Sequence, residues 1–282
     1  MNSSAWIDHN GALLPANSGI LKATNRAFHY GDGLFETLMV RNGRIRLGDA
    51  HFDRLFAGMN QLRYVIPSQF TREGVEASLL QLCERNGHLS LARVRLTIYR
   101  GDGGLYDPED LHPRYLIESW PLSPADIGLN EKGLAIGIYS DGIKSCDLLA
   151  NIKSTNFLLY AVAALYAKEH GLDDCLVRNS HGRLADSTIA NLFYCKDRQV
   201  YTPPLSEGCV AGVMRRFLLS ALPDAGFPVH ERPVTGEDLQ EADEVFLSNA
   251  IRGIRWVQTF RKYRYAHDLS RTIHDQLIKA LP

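Results

Sequence analysis

The dipeptide Asn42-Gly43, set between the apolar segments LFETLMV and RIRL, constrains the fold more than any other feature of this chain. Asn-Gly takes positive φ most readily in a two-residue turn, so the segments are predicted to fold back as an antiparallel hairpin. Asp49 then opens a predicted helix in which Phe52, Leu55, Phe56, Met59 and Leu62 recur at helical spacing. Its carboxylate is expected to cap the first free amides. A second helix is expected over 71–87. Ala92, Val94, Leu96 and Ile98 then alternate with Arg93, Arg95, Thr97 and Tyr99, the period of a strand. Together these elements predict a small α+β domain over residues 1–118.

The stretch SWPLSPADIG, 119–128, reads as an interdomain linker, because its two prolines cannot donate to a ladder and it separates two dense apolar regions. Residues 129–282 are predicted as a larger domain. Its elements are a strand at LAIGIYS, a Ser-capped helix over 154–171, and short strands around CLVR, NLFYC and VYTP with turns at 180–182 and 196–198. A strand at EVFLSN and a C-terminal helix close the chain. It contains no internal repeat and no low-complexity tract.

Composition narrows the partners. With 31 basic and 32 acidic residues among 282, and no basic block, nothing in the charge calls for nucleic acid or an anionic membrane, and small molecules are expected instead. The longest apolar run, 157–167, is well short of the roughly 20 residues of a membrane span, and the N-terminus shows no basic segment followed by an apolar core. A cytoplasmic protein is expected. Five cysteines, odd in number and without a CxxC pair, disfavour a disulfide framework or structural zinc, and the ten histidines form no HxH or HExxH pattern. No metal is expected.

Four separated features bear on chemistry. Lys153 precedes a strongly apolar segment whose packing would fix its amine, as a covalent attachment point needs, although a lone lysine there more often is a solvated helix end. In GRLADSTIANLFYC, Asp186 and Asn191 bracket a turn; Asp186 either opposes a protonated ring nitrogen or caps the turn with Ser187, the commoner case. TPPLSEGCVAGVMRRFLLS feeds a helix beginning near Gly212, whose free N–H groups and dipole suit a phosphate. In HFDRL, Arg54 lies beside an apolar stripe, placed to grip a phosphate bidentately or simply to lie over the core edge.

Taken in order and spacing, HYGDGLFET, HFDRL, the KSTN segment after Ile152, G-x-x-x-D-x-x-x-x-N and TPPLSEGCVAGVMR resemble the class IV aminotransferases, the fold type IV pyridoxal phosphate (PLP) enzymes. The resemblance covers nearly the whole chain. It implies the D-amino-acid aminotransferase-like α/β (α+β) fold: a small α+β domain, then a larger β-barrel-like domain with helices. It implies PLP as cofactor, Lys153 as the lysine that forms the Schiff base and moves protons, and Arg54 with the amides of Val213 and Met214 as the phosphate site. Asp186 would face the ring nitrogen, where the family normally has glutamate, and Asn191 joins it among the cofactor-binding residues. A homodimer is implied, with a site that takes residues from the partner subunit.

The same resemblance leans toward the aminodeoxychorismate lyase branch. Thr37 in FET matches a threonine near the departing enolpyruvyl group, Asn249-Ala250 in LSNAIRGIRWV matches the lyase pattern, and Arg100 in YRGDGGLY is placed to bind a substrate carboxylate. Tyr30 is counted with Arg100 and Asn249 among substrate residues. Branched-chain and D-amino-acid aminotransferases are the alternatives, and a non-catalytic PLP-binding protein is a third. Trp256 stands where the family usually has proline, and with Asp186 it raises the expectation of an altered pocket. Arg26 and Arg252, near motif positions, carry no assigned role.

Overall fold

A computed structural model describes residues 5–281; the outermost positions of the two predicted domains, 1–4 and 282, lie outside the described residues. The chain forms two compact units. The first holds the described residues up to Asp126 together with Lys153–Asn156, and the second holds Ile127–Ile152 and Phe157–Leu281.

The first unit contains strands β1 (Trp6–His9), β2 (Ala12–Pro15), β3 (Gly33–Arg41), β4 (Arg44–Ile45), β5 (Leu91–Arg100) and β6 (Pro113–Pro121). Its helices are α1 (Arg26–Tyr30), α2 (Gly48–Gln61) and α3 (Arg72–Arg85). The strands form one sheet in the order β2-β1-β6-β5-β3-β4. The Asn42-Gly43 turn is as read from sequence: both residues have positive φ, 50° and 71°, and join β3 to β4. In β5, Ala92, Val94, Leu96 and Ile98 are fully buried while Arg93, Arg95 and Thr97 on the other face are half-buried, so the alternation sets the core side of the sheet. Helix α2 packs on β3, and α3 on β1 and β6.

Two local expectations are corrected. Helix α2 begins at Gly48 behind Leu47, which takes φ 54° without a side-chain cap, and Asp49 instead pairs with Arg72 in the first turn of α3. Ser119, Trp120 and Pro121 are the last residues of β6, with Pro121 at its very end opposite Ala92, where a missing N–H costs little.

The second unit contains β7 (Leu134–Lys144), β8 (Asp174–Asn179), β9 (Leu184–Ser187), β10 (Asn191–Lys196), β11 (Gln199–Thr202), β12 (Val229–Glu231), β13 (Glu244–Asn249), β14 (Gly253–Phe260) and β15 (Tyr263–Arg264). Its helices are α4 (Leu158–Glu169), α5 (Val213–Asp224), α6 (Gly236–Gln240) and α7 (Asp268–Ile273), the last continued by a π-turn over His274–Ile278. The sheet runs β12-β11-β10-β13-β14-β7-β8-β9, with β15 on β14. It curls on itself: Leu184 of β9 donates its amide to Val234 O, just beyond β12, at 2.7 Å. Leu176, Leu184, Leu192, Val234, Val245 and Val257 form the buried core within this curl. Helix α4 lies outside on β7 and β8, seated through Tyr160, Ala163 and Ala167.

Trp256 belongs to this framework. Its backbone N–H and its indole N–H donate to Asn130 Oδ1 and O at 3.0 and 2.7 Å, and its ring stacks on His267. The indole lies where a Cβ on Gly133 would stand, so the large side chain is matched by a glycine opposite.

Candidate active site

In the first unit, the sequence reading of the Lys153 segment needs correction. No helix starts at Ser154, because α4 begins four residues later at Leu158 with no side-chain cap. Residues 153–156 instead run extended beside β3. Phe35 donates its amide to Lys153 O and Thr155 its amide to Gly33 O, both at 2.9 Å, with Ser154 bridged to Leu34. Thr155 Oγ1 and Asn156 Nδ2 both donate to Gly31 O, at 2.6 and 2.9 Å. The close approach depends on Gly33, where a Cβ would stand 2.5 Å from Ile98 O. Lys153 is thus fixed by backbone bonds to β3, and its Nζ lies 4.3 Å from the centre of the Phe35 ring.

Alternation along β3 puts Phe35 and Thr37 on one face and Glu36 on the other. Thr37 is half-buried, whereas its neighbours from Gly33 to Val40 are all buried, so it is the accessible point in the middle of the strand. Opposite it in register stands Arg95, whose guanidinium lies 3.8 Å from the Phe35 ring centre. Sequence reasoning passed over Arg95 because it looked like one polar position in an alternating strand; only the pairing with Thr37 singles it out.

On the opposite face, Arg54 of α2 grips Glu36 with both ends of its fork, Nε to Oε1 at 2.8 Å and Nη2 to Oε2 at 2.5 Å. His51 Nδ1 lies 2.6 Å from Glu36 Oε2. Burial alone would raise the Glu36 pKa, but the charge of Arg54 and then the His51 contact outweigh it and hold the carboxyl at about 2. The pair is bidentate and charge-assisted, so the Arg54 head is oriented in advance of any ligand. Lys153 and Arg54 thus reach β3 at neighbouring residues on its two faces, Phe35 and Glu36.

Arg100 and Tyr30 are placed differently. Arg100 is buried, donates to Asp32 Oδ1 and Leu62 O, and lies over the Tyr64 ring. Arg26 bonds the other oxygen of Asp32 at 3.0 Å and donates to the carbonyls of Gly104, Leu105 and Tyr106. The role sequence left open for Arg26 is thus to hold the loop after β5. Tyr30, the last residue of α1, packs its ring near Tyr106, with the Arg26 guanidinium over it.

In the second unit, Asp186 of β9 is almost wholly buried. Tyr160 Oη donates to its two oxygens at 3.0 Å each, and Val210 N–H donates to Oδ2 at 2.9 Å. Helix α5 starts at Val213 behind Gly212, as the sequence indicated, and no side chain caps it, which leaves the first-turn amides of Val213 and Met214 to an outside acceptor. Asn191 serves the loop before this helix: its Nδ2 donates to Val210 O at 2.8 Å, and a Cβ on Gly212 would stand 1.9 Å from its Oδ1. Asn249 likewise turns inward, its Oδ1 accepting from the amides of Ile251 and Arg252 to close the turn into β14. Arg252 is the exposed far end of that turn.

These residues fit PLP on structural grounds. Within the first unit a primary amine is held beside β3 and an arginine fork is already oriented, and within the second a helix start lacks a capping side chain and a carboxylate is buried among donors, which are the kinds of group that PLP needs. The family model described as "Amino-transferase class IV" matches residues 33–260. An aminodeoxychorismate lyase of Vibrio harveyi is 30% identical over 82% of this chain and 83% of its own length. A putative branched-chain-amino-acid aminotransferase of Methanocaldococcus jannaschii is 28% identical over 85% and 82%. In fold, the PLP-bound form of a hypothetical aminotransferase from Mycobacterium tuberculosis superposes with a TM-score of 0.85 at 20% identity, covering 98% of each chain. The extent of the family match, over residues 33–260, leads to one assignment: this chain belongs to the class IV aminotransferases, a family of PLP-dependent enzymes.

Proposed function

We propose that this enzyme is an aminodeoxychorismate lyase, converting 4-amino-4-deoxychorismate to 4-aminobenzoate and pyruvate and so serving folate synthesis. The observation that carries the reading is Thr37, half-buried in mid-β3 between buried neighbours and on the same face of the strand as Phe35, whose ring centre lies 4.3 Å from Lys153 Nζ. The Vibrio harveyi lyase at 30% identity supports it.

When bound, PLP supplies an electron sink conjugated to the substrate amine nitrogen. Lys153 would hold the cofactor through its amine, and as a free amine it would take the proton from the substrate ring carbon that bears the nitrogen. The C–O bond to the enolpyruvyl group then breaks, and a proton from Thr37 or a water ends on the methylene carbon of the departing group, giving pyruvate. Arg54 of the first unit and the Val213 and Met214 amides of the second would hold the phosphate, and Asp186 would keep a proton on the ring nitrogen. Arg95, across the strand pair from Thr37, offers the cation for a substrate carboxylate.

Cofactor-loaded protein supplied with aminodeoxychorismate should release pyruvate and 4-aminobenzoate in equal amounts and end with an unchanged cofactor spectrum. Conversion of the cofactor to its amine form by one L- or D-amino acid, without pyruvate release, would instead establish an aminotransferase.

The enzyme acts as a homodimer in this reading. Helix α4 exposes Leu158, Val162 and Leu165, and its sequence carries no charge before Lys168, a neutral apolar face that a second copy can cover in a two-fold contact. Leu165→Glu should convert the dimer to monomer by sedimentation velocity; an unchanged dimer would exclude this face. A cytoplasmic setting suits the five cysteines, all free and four of them buried. Among the described residues no helix is long and apolar enough to cross a membrane.

A further inference from the structure

The Tyr160–Asp186 contact reaches beyond the reading above. Tyr160 lies in the first turn of α4, shortly after the segment that carries Lys153, and only 5% of its surface is exposed. Its ring is held by Phe157, with centroids 4.4 Å apart, and by the Lys144 ammonium 5.0 Å from the ring centre. That ammonium is itself fixed by Ala150 O at 3.0 Å. The hydroxyl therefore has one place to be, equidistant from both oxygens of Asp186. Burial, then the Asp186 charge, pushes its pKa well above the ordinary phenol range, so it stays protonated and is the donor.

A carboxylate at the end of a single methylene can rotate about χ2, and Val210 N–H pins only one of its oxygens. Tyr160 bridges both. We propose that Tyr160 is the positioning residue of Asp186: its hydroxyl sets the plane of the carboxylate and, by donating to it, keeps it ionised and aimed at the ring nitrogen. This rests on the reading of Asp186 as partner of that nitrogen.

The test is Tyr160→Phe, which removes one oxygen and keeps the ring. A donor to the charged form lowers a carboxylate pKa, so its removal raises that pKa. The variant should lose about tenfold in kcat with little change in KM. The acid limb of its pH profile should move to higher pH, and so should the pH-dependent absorbance of the bound cofactor measured without substrate. Asp186→Glu gives a second arm. In the wild-type background the longer side chain runs into the Tyr160 hydroxyl and activity falls, whereas in Tyr160→Phe it occupies the vacated space and restores most of the activity. A residue that merely fills the core predicts additive losses and an unmoved pH limb, and either result would overturn the proposal. If Tyr160→Phe alone does not fold, the double variant decides: folded and active supports the proposal, inactive rejects it. Asp186→Asn separates the two ideas, because full activity there removes the role of Asp186 itself, whereas an inactive Asp186→Asn beside a wild-type-like Tyr160→Phe removes only that of Tyr160.

Discussion

Lys153→Ala should lose more than about a thousandfold in turnover while the protein keeps its fold and still takes up PLP reversibly. The expectation follows from where the residue sits. The backbone carbonyl of Lys153, not its side chain, accepts from Phe35 N–H, so alanine leaves the ladder of residues 153–155 on β3 intact. The phosphate-binding groups assigned to Arg54, Val213 and Met214 are also untouched, so cofactor affinity should drop without vanishing. The lysine-linked absorbance should disappear, and the bound cofactor should become removable by dialysis. Retained turnover with that absorbance would show that another amine carries the chemistry.

Asp186→Asn should lose at least about a hundredfold in turnover with only a several-fold loss of cofactor affinity. The amide is close in shape to the acid and can keep both contacts, its oxygen accepting from Val210 N–H and its nitrogen donating to Tyr160 Oη. The fold is therefore preserved, and what goes is the negative charge proposed to face the ring nitrogen. Melting temperature, cofactor affinity and turnover measured together check this. Equal losses in affinity and turnover would mean that Asp186 holds the fold and not the proton.

The sequence made some of this legible and hid the rest for definable reasons. The β3–β4 hairpin, the α5 start at Gly212 and the alternation in β5 are set by neighbours a few residues apart, and local chemistry was enough to read them. Ser154 looked like a helix cap because Ser is favoured there, but its segment is claimed by β3, with Thr155 and Gly31 lying 124 positions apart. Asp49 failed as a cap for a similar reason, since α3 supplies Arg72 as its partner. Strand β9, with Asp186 and Ser187 among its four residues and all four buried, shows no period a window could detect. Motif order singled out Lys153, Arg54, Asp186 and the α5 start as candidates, but it gave no hint that Asn191 and Asn249 bond the backbone of neighbouring turns, which depends on how those turns close.

The segment that carries Lys153 also bears on the order in which the protein is made. Strand β4 covers only the far end of β3, at Val40 and Arg41, so the near end waits for residues 153–155. A nascent chain that has emerged only to Asp126 presents the Phe35 amide and the Gly31 and Gly33 carbonyls as an open edge, the kind that pairs with other chains. Closing so long a loop costs little more than closing a shorter one, about 0.6 kcal/mol per doubling, so the penalty is one of time and not of equilibrium. Seating the lysine is then a late event in the assembly of the first unit. Fragments released before Asn156 should aggregate through that edge, whereas chains that reach beyond it bring their own strand to cover it.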